Sequence, residues 1–210
     1  MAKQRIDRHD VIASATRVVD RRGNLADLAL GKIAEDLGVR TSALYNHVDG
    51  VDGLRRALAA QSGEKLANLL RDAAVGRAGA DALEELAHTY RRFAHDHPGQ
   101  YASTLLAPST PAPVAETPEP QAEIVRVIAR ILGAFSLEGD QAIHAARVVR
   151  SAIHGFVALE ATESFVNPQD HDESFRMLVA FLIAGLDAGL LAQRHDIIVA
   201  EQDLGWSEEL

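Results

Sequence analysis

Cysteine is absent from this chain of 210 residues, and the sequence also lacks long apolar runs. Without cysteine, neither a disulfide framework nor a thiolate metal site can form. No apolar run approaches the length needed to cross a bilayer, and the polar N-terminus lacks the apolar stretch of a signal peptide. We therefore expect a complete, cytoplasmic protein without a membrane partner.

Positive charge is scarce, but it is unevenly distributed along the chain. The formal net charge is −9. Residues 1–56 hold ten Lys or Arg and eight Asp or Glu, a balance of +2, and the remainder carries −11. This asymmetry favours an N-terminal segment that faces a polyanion and an acidic body that stays solvated. The bias is slight, so it supports DNA binding without establishing it.

Strand signals are also nearly absent: there is no alternating β-branched run and no Asn-Gly hairpin. Apolar residues instead recur at three- and four-residue spacing, which predicts an all-α fold. Helices are predicted at about 7–22, 30–37, 41–48, 50–75, 81–97, 121–136, 140–164 and 172–191. Five of the seven prolines fall in 107–120, which predicts a loop there.

Local signals set several of these helix ends. Asp7 can cap the first helix, and Gly23 follows its last turn as a stop signal. Gly38 separates two short helices, which is the pattern of a helix-turn-helix. The sequence His97-Pro98-Gly99 predicts the end of the fifth helix.

The most informative stretch is Ile33 to Val48, which has the pattern I-A-x-x-L-G-V-x-x-x-x-L-Y-x-H-V. This pattern closely resembles the DNA-binding signature of TetR-type transcriptional regulators, and the resemblance extends over roughly residues 6–66. It implies an N-terminal three-helix helix-turn-helix DNA-binding domain followed by a larger helical ligand-binding and dimerisation domain. We assign 1–56 to the first domain, with the motif at about 29–48, 57–195 to the second, and 196–210 to a tail.

The second short helix of the motif carries residues suited to a DNA groove. Short polar side chains at its N-terminal end can reach base edges, the Ala43 methyl can touch a thymine methyl, and polar-tipped aromatic side chains can reach phosphates. Taken alone, an aromatic pair of this kind would more often cap a small core. Within the whole pattern, the predicted DNA-binding residues are Lys32, Arg40, Thr41, Ser42, Ala43, Tyr45 and His47.

Three positions depart from the family pattern. Gly31 and Val51 stand where the family often has basic residues that contact phosphate, and Arg40 replaces a frequent Ser. Loss of two phosphate contacts predicts weaker binding with a flatter salt dependence. Arg40 and Lys32 offer compensating charge.

Residues 149–160 resemble, in part, the His-Gly segment of a TetR subgroup named for a Trp-His-Gly motif, although this chain lacks the Trp. In that subgroup the last two helices form a four-helix interface with a second copy. Glycines that permit close helix approach also fit this role. The predicted interface residues, each equally compatible with a place in the core, are Ile153, Phe156, Val157, Leu178, Leu182, Ile183 and Leu186.

A ligand pocket for a small hydrophobic molecule is expected among the fourth to eighth helices. Its lining would be apolar with a few polar tips. Taken singly, each candidate is more often a core residue than a ligand contact. The candidates are Tyr90, Phe93, Tyr101, Phe135 and His154.

Metal and enzyme chemistry find little support in the sequence. His95 and His97 point apart on a helix, and His88 and His95 lie two turns apart, so neither pair predicts a metal site. There is no phosphate-binding glycine loop, no HExxH and no paired acid and base. We expect no cofactor and no catalytic residue.

Three functions remain open at this stage. The first is a ligand-responsive repressor that binds a palindromic operator in double-stranded DNA as a homodimer. The second is a small-molecule sensor or carrier on the same scaffold that has lost DNA binding, as Gly31 and Val51 suggest. The third is an all-helical enzyme.

Overall fold

The computed structural model describes residues 6–23, 25–26, 28–105 and 120–189, with side chains from 122 in the last range. Every regular element in these ranges is helical, so the all-α prediction is confirmed. None of these helices is long and apolar enough to cross a membrane. The helices are α1 (Arg8–Arg22), α2 (Leu30–Asp36), α3 (Thr41–Leu44), α4 (Gly50–Ala73), α5 (Gly79–Asp96), α6 (Pro98–Ser103), α7 (Pro120–Leu132), α8 (Gly139–Ala161) and α9 (His171–Asp187), with a 3-10 turn at Gly133–Phe135.

The predicted ends of α1 are confirmed by their cap geometry. Asp7 accepts a hydrogen bond from the backbone N–H of Asp10, and the Asp10 carboxylate accepts one from the backbone N–H of Asp7, each at 2.9 Å. This reciprocal capping box satisfies two donors that a helix start leaves unpaired. Gly23 ends α1 at φ 69°, a conformation that glycine adopts without a steric penalty.

The helix predicted at 41–48 is shorter than expected. α3 is four residues long, whereas the sequence predicted a helix over 41–48. The helix ends at Tyr45, whose backbone is still right-handed at φ −65° and ψ −14°. Turns follow, in which Leu44 O accepts from the N–H groups of His47 and Val48 at 2.9 and 3.1 Å. Of the predicted loop at 107–120, only Pro120 is among the described residues. The predicted tail at 196–210 lies entirely outside them.

The short helix α6 was missed. His97-Pro98-Gly99 ends α5, as predicted, but the same residues begin α6 with Pro98 in its first turn. Proline suits that position, because its fixed φ is helical and its missing N–H would have no partner there. The apolar pattern of 98–103 is too short to show a helical period.

The described residues form two compact units. The first comprises Met1–Leu69 with Arg92–Ile124, and the second comprises Leu70–Arg91 with Val125–Leu210. In the first unit, α1 packs against α2 and α6, and α2 packs against α3. The helices α1, α2, α3 and α4 share one apolar core. Its buried side chains include Val11, Val19, Ile33, Leu44, Leu54 and Leu58.

Close backbone packing joins α6 to α1. A methyl group on Gly99 would overlap the backbone carbonyl of Val19 and would lie 2.7 Å from Asp20 N, so only glycine fits there. The second unit buries the apolar faces of its own helices, and α8 packs on α9. Its fully buried side chains include Leu83, Leu86, Tyr90, Ile128, Ile153 and Phe175.

Candidate functional site

The turn between α2 and α3 sets the position of the predicted recognition helix. Gly38 has a φ of 65°, and Val39 N–H donates to Ala34 O at 2.9 Å. Arg40, in extended conformation, precedes α3 without a side-chain capping bond. Leu44 is fully buried in the core of the first unit, so its side chain fixes the inner face of α3. The remaining face points outward.

The predicted DNA-binding residues lie on α2 (Lys32), on α3 and directly beside α3, and most of them are exposed. Lys32, Arg40, Thr41, Ser42 and Tyr45 are exposed, and Ala43 and His47 are half-buried. Tyr45 is 62% exposed, although its neighbour Leu44 is fully buried. Exposed polar and aromatic groups on a short, fixed helix have the geometry for groove and phosphate contact. Their contact with DNA stays a prediction.

A polar cluster between α1 and α2 was missed by sequence reasoning; we name it the Asp36 clamp. The Asp36 carboxylate accepts hydrogen bonds from Ser14 Oγ at 2.6 Å, Arg17 at 2.8 Å and Arg21 at 3.0 Å. The Ser14 and Arg17 bonds, with a further contribution from Arg21, lower the pKa of Asp36 to about 2. The clamp therefore uses two arginines of α1 to fix α2, and their charge is partly neutralised.

The positions that depart from the family pattern have separate surroundings. Gly31 is exposed, and a Cβ placed there would meet nothing within 4 Å. Val51 is partly buried and packs against the core of the first unit. A basic side chain could therefore be added at Gly31 without steric conflict, whereas Val51 has a packing role.

The predicted ligand residues are divided between the two units. Phe93 and Tyr101 belong to the first unit and are buried, and Phe93 lies beneath Lys65 with its ring centroid 5.7 Å from Nζ. Tyr90, Phe135 and His154 belong to the second unit. Tyr90 is fully buried, and the other two are half-buried. Ligand contact by any of the five stays a prediction.

His154 is the titratable member of this set. Burial, followed by the positive charge of Arg150, lowers the pKa of His154. The imidazole is therefore neutral at pH 7, and a neutral imidazole offers one donor and one acceptor. Such a group can orient a neutral or weakly polar ligand but would bind a carboxylate poorly.

The seven predicted interface residues differ in how deeply they are buried. Ile153, Val157 and Leu186 are buried within the second unit, so in the single chain they are core residues. Phe156 packs its ring against Phe165 and Phe175, at centroid distances of 4.9 and 5.1 Å. Leu178, Leu182 and Ile183 are half-buried. Whether any of the seven meets a second copy stays a prediction.

A different set of apolar side chains on the same two helices is exposed. Val148 and Leu159 of α8 are each 49% exposed, and Met177 and Phe181 of α9 are 50% and 70% exposed. Val148 and Leu159 lie eleven positions apart, and Met177 and Phe181 lie four apart, so each pair lies on one face of its helix. Sequence reasoning missed this set because it could not tell which face of an almost wholly apolar helix is turned inward.

Arg91 joins three helices of the second unit. Its guanidinium donates to the Glu160 carboxylate with two N–H groups, lies 2.8 Å from Asp172, and stacks over Phe175 at 4.9 Å. The hydrogen bond with Glu160 raises the pKa of Arg91 further. The side chains of Arg91 and Glu160 are only 13% and 8% exposed. A charge can be buried to this extent only if an opposite charge is paired with it, so each of the two stabilises the other in its buried position. This arrangement ties α5 to α8 and α9 within the second unit.

Among the described residues, one group of side chains lies close enough to share a metal ion: Asp7, His9 and Asp10. All three are exposed, and both carboxylates already serve the capping box of α1. The group is therefore explained by helix capping.

Comparison with known proteins places this arrangement in a family. Residues 83–182 match the family model described as the tetracyclin repressor-like C-terminal domain. The uncharacterized HTH-type transcriptional regulator Rv0681 of Mycobacterium tuberculosis is 34% identical over 186 residues, which cover 87% of this chain and 83% of that protein. The uncharacterized HTH-type transcriptional regulator YobS of Bacillus subtilis is 30% identical over 177 residues, covering 84% and 90%.

A solved structure shows the same fold. A variant of TetR from Acinetobacter baumannii, in complex with minocycline, aligns with a TM-score of 0.63 over 88% of this chain and 98% of its own, at 24% identity. With the helix-turn-helix geometry and the two regulator relatives, these matches show that the chain belongs to the TetR family of transcriptional regulators. The family resemblance seen in residues 33–48 is thereby confirmed.

Proposed function

We propose that this protein is a ligand-responsive repressor that binds a palindromic DNA operator as a homodimer and is released by a small hydrophobic molecule. The observation that carries the proposal is the exposed surface at α3: Thr41 and Ser42 on the helix, with Arg40 and Tyr45 at its two ends, all point outward from a helix fixed by the buried Leu44. Side chains held on a fixed short helix can enter a major groove in a single register.

The exposed apolar faces of α8 and α9 support the homodimer. A soluble protein rarely leaves side chains such as Met177 and Phe181 exposed side by side unless a partner covers them. Gly155 and Gly185 lie on these helices, and a Cβ at either would meet nothing within 4 Å, so the backbone there is open to close approach. A two-fold dimer presents two α3 helices to half-sites about one helical turn apart.

The release step is supported by the character of the predicted pocket residues. The minocycline complex shows that a protein of this fold holds a small molecule. Phe135 is apolar and half-buried, and His154 is a neutral polar group, so a pocket lined by both would favour an apolar ligand without a carboxylate.

Selection of bound duplexes from a random pool, repeated with candidate metabolites, tests the proposal. We expect the selected duplexes to share a palindromic consensus. Arg40→Ala and Tyr45→Ala should each lower the affinity by about tenfold or more, because each removes one charge-assisted or aromatic contact with DNA. Arg147→Ala, an exposed arginine of α8, is the matched control and should bind as the unchanged protein does. A dimer that selects no consensus would overturn the proposal.

The second candidate is a small-molecule sensor or carrier that has lost DNA binding. The exposed Gly31, which presents no side chain on the outer face of α2, favours it. This function predicts ligand binding with no duplex binding at any salt concentration. Gly31→Arg should then create a measurable affinity for duplex DNA that weakens as the salt concentration rises. If the Gly31→Arg protein still binds no duplex, this candidate is ruled out.

A further inference from the structure

A network of polar side chains joins α1, α4 and α6 in the first unit, beside the helix-turn-helix. Asp20 near the end of α1 accepts hydrogen bonds from Gln100 N at 2.8 Å and from Gln100 Nε2 at 2.6 Å. Gln100 is the third residue of α6, and His97, the residue before α6, makes no side-chain capping bond. Asp20 therefore caps α6 from a neighbouring helix, and the cap adds to the close packing at Gly99.

His97 lies between two groups of opposite charge in this network. Its Nε2 is 3.0 Å from Lys65 Nζ of α4, and its Nδ1 is 3.6 Å from Asp20 Oδ2 of α1. The ring also lies 5.4 Å, centroid to centroid, from Phe93, one turn earlier in α5. Gln100 of α6 contacts Asp20. These are the charged and aromatic groups that face the ring from the described helices packed around it.

The Lys65 contact fixes the protonation state that this geometry requires. An ammonium group has only donors, so Nε2 must accept the bond, and the single ring proton then lies on Nδ1, facing Asp20. A second proton would turn Nε2 into a donor that faces another cation. It would also convert the Asp20 contact into an ion pair between full charges.

We propose that His97 is a proton-dependent link between α4 and the α1–α6 pair, which binds Lys65 when neutral and Asp20 when protonated. Histidine is the side chain whose usual charge change falls between pH 5 and 8. Acidification breaks the link to α4 and replaces it with an ion pair between His97 and Asp20, the residue that caps α6. Since α4 follows α3 after five intervening residues, the state of this link acts on the helix next to the predicted recognition helix.

Two double-mutant cycles on the full-length chain test the link through its own contacts. The first combines Lys65→Met, which keeps an unbranched apolar side chain but removes the ammonium group, with His97→Ala; the second combines Asp20→Asn with His97→Ala. Unfolding is measured in denaturant at pH 8 and at pH 5.5, at one protein concentration. The Lys65–His97 coupling should be favourable at pH 8, about threefold to tenfold in the unfolding equilibrium constant, and absent or reversed at pH 5.5. The Asp20–His97 coupling should change in the opposite sense.

The control cycle pairs Lys65→Met with a change at His144, an exposed histidine of α8 in the second unit. It should show no coupling at either pH. If His97→Ala does not fold, His97→Gln replaces it, because its amide oxygen still accepts from Lys65 but cannot gain a proton in this range. Couplings that are equal at the two pH values, with either variant, would overturn the proposal.

A second readout rests on the proposed function. The affinity for a selected duplex, measured at pH 5.5 and pH 8, should change severalfold more in the unchanged protein and in His144→Gln than in His97→Gln. His47 is present in all three proteins, so its own effect on DNA binding cancels from the comparison. Failure to bind DNA would remove this readout alone, whereas the folding cycles would still decide the proposal.

Discussion

Single residues in the first unit show how few polar groups hold the helix-turn-helix in place. Asp36 is the clearest example, because it is the acceptor for three donors on α1, and its side chain is only 19% exposed. Its partners Arg17 and Arg21 are 55% and 64% exposed, so each ion pair alone would contribute little. The stabilisation comes from one carboxylate that satisfies several donors together.

This clamp predicts a specific loss of stability in acid. The pKa of Asp36 is about 2 in the folded chain and 3.8 for an ordinary carboxyl, so the folded state binds its proton less readily. The stabilisation is therefore complete above about pH 4 and is lost as the pH falls towards 2. After allowance for solvent screening it amounts to about 1–2 kcal/mol. Asp36→Asn should lower the unfolding free energy at pH 7 by that amount and flatten its dependence on pH between 4 and 2.

Denaturant unfolding at pH 7, 4 and 3 measures this effect. Asp52→Asn is the control, since Asp52 is 61% exposed and pairs with Arg55 one turn away, at 3.4 Å. That change should alter stability by less than about 0.5 kcal/mol. An equal loss in the two variants would show that Asp36 has no special role.

A second prediction concerns Ser62 of α4. Its Oγ is fully buried and makes no hydrogen bond among the described residues. A buried hydroxyl without a partner costs free energy, so removing it should not harm the fold. Ser62→Ala should leave stability unchanged or raise it by about 1 kcal/mol, measured as the midpoint of denaturant unfolding. A clear loss of stability would mean that the hydroxyl does have a partner in solution.

At the scale of whole elements, the helices were predicted well and the contacts between them were not. Capping signals such as Asp7 and Gly23 act within a few residues, so the sequence displays both the cause and its effect. The Asp36 clamp and the Asp20 cap on α6 join residues 15 to 80 positions apart. Spacing along the chain carries no signal for such pairs until the fold has brought them together.

The helix α6 illustrates how a local signal can be ambiguous. Pro98 ends one helix and begins another, and both effects follow from the same missing N–H. Only the packing of α6 on α1 decides in favour of a second helix, through Gly99 against Val19. The contact also joins α6 to α1 within the first unit, whereas the predicted domain boundary at residue 56 stays a prediction.

Gly99→Ala tests this contact between elements. The added methyl group would overlap backbone atoms of Val19 and Asp20, which cannot move aside as a side-chain end can. We expect a loss of about 2–4 kcal/mol in unfolding free energy, as for an overpacked buried site. Gly133→Ala is the control, because its Cβ would meet nothing within 4 Å. If both variants unfold at the same denaturant concentration, α6 is not held by this approach.

At the scale of the whole molecule, the sequence showed that α8 and α9 are apolar but not which residues they leave exposed. The predicted interface included Ile153 and Leu186, which the second unit buries itself. The exposed residues Val148, Leu159, Met177 and Phe181 now define the face that we expect a second copy to cover. Burial of such a face is the usual source of free energy for a stable homodimer.

Phe181→Glu should separate the dimer into monomers. Phe181 is 70% exposed in the single chain, so the change costs the monomer little, whereas in the dimer it would place a charge inside an apolar interface. Sedimentation should show the loss of the dimer with unchanged helicity, and affinity for the selected duplex should fall by about 100-fold or more, because one α3 then reads one half-site. Val166→Glu, at an 89% exposed position between α8 and α9, is the control and should remain dimeric. A Phe181→Glu protein that stays dimeric and keeps its DNA affinity would place the interface elsewhere.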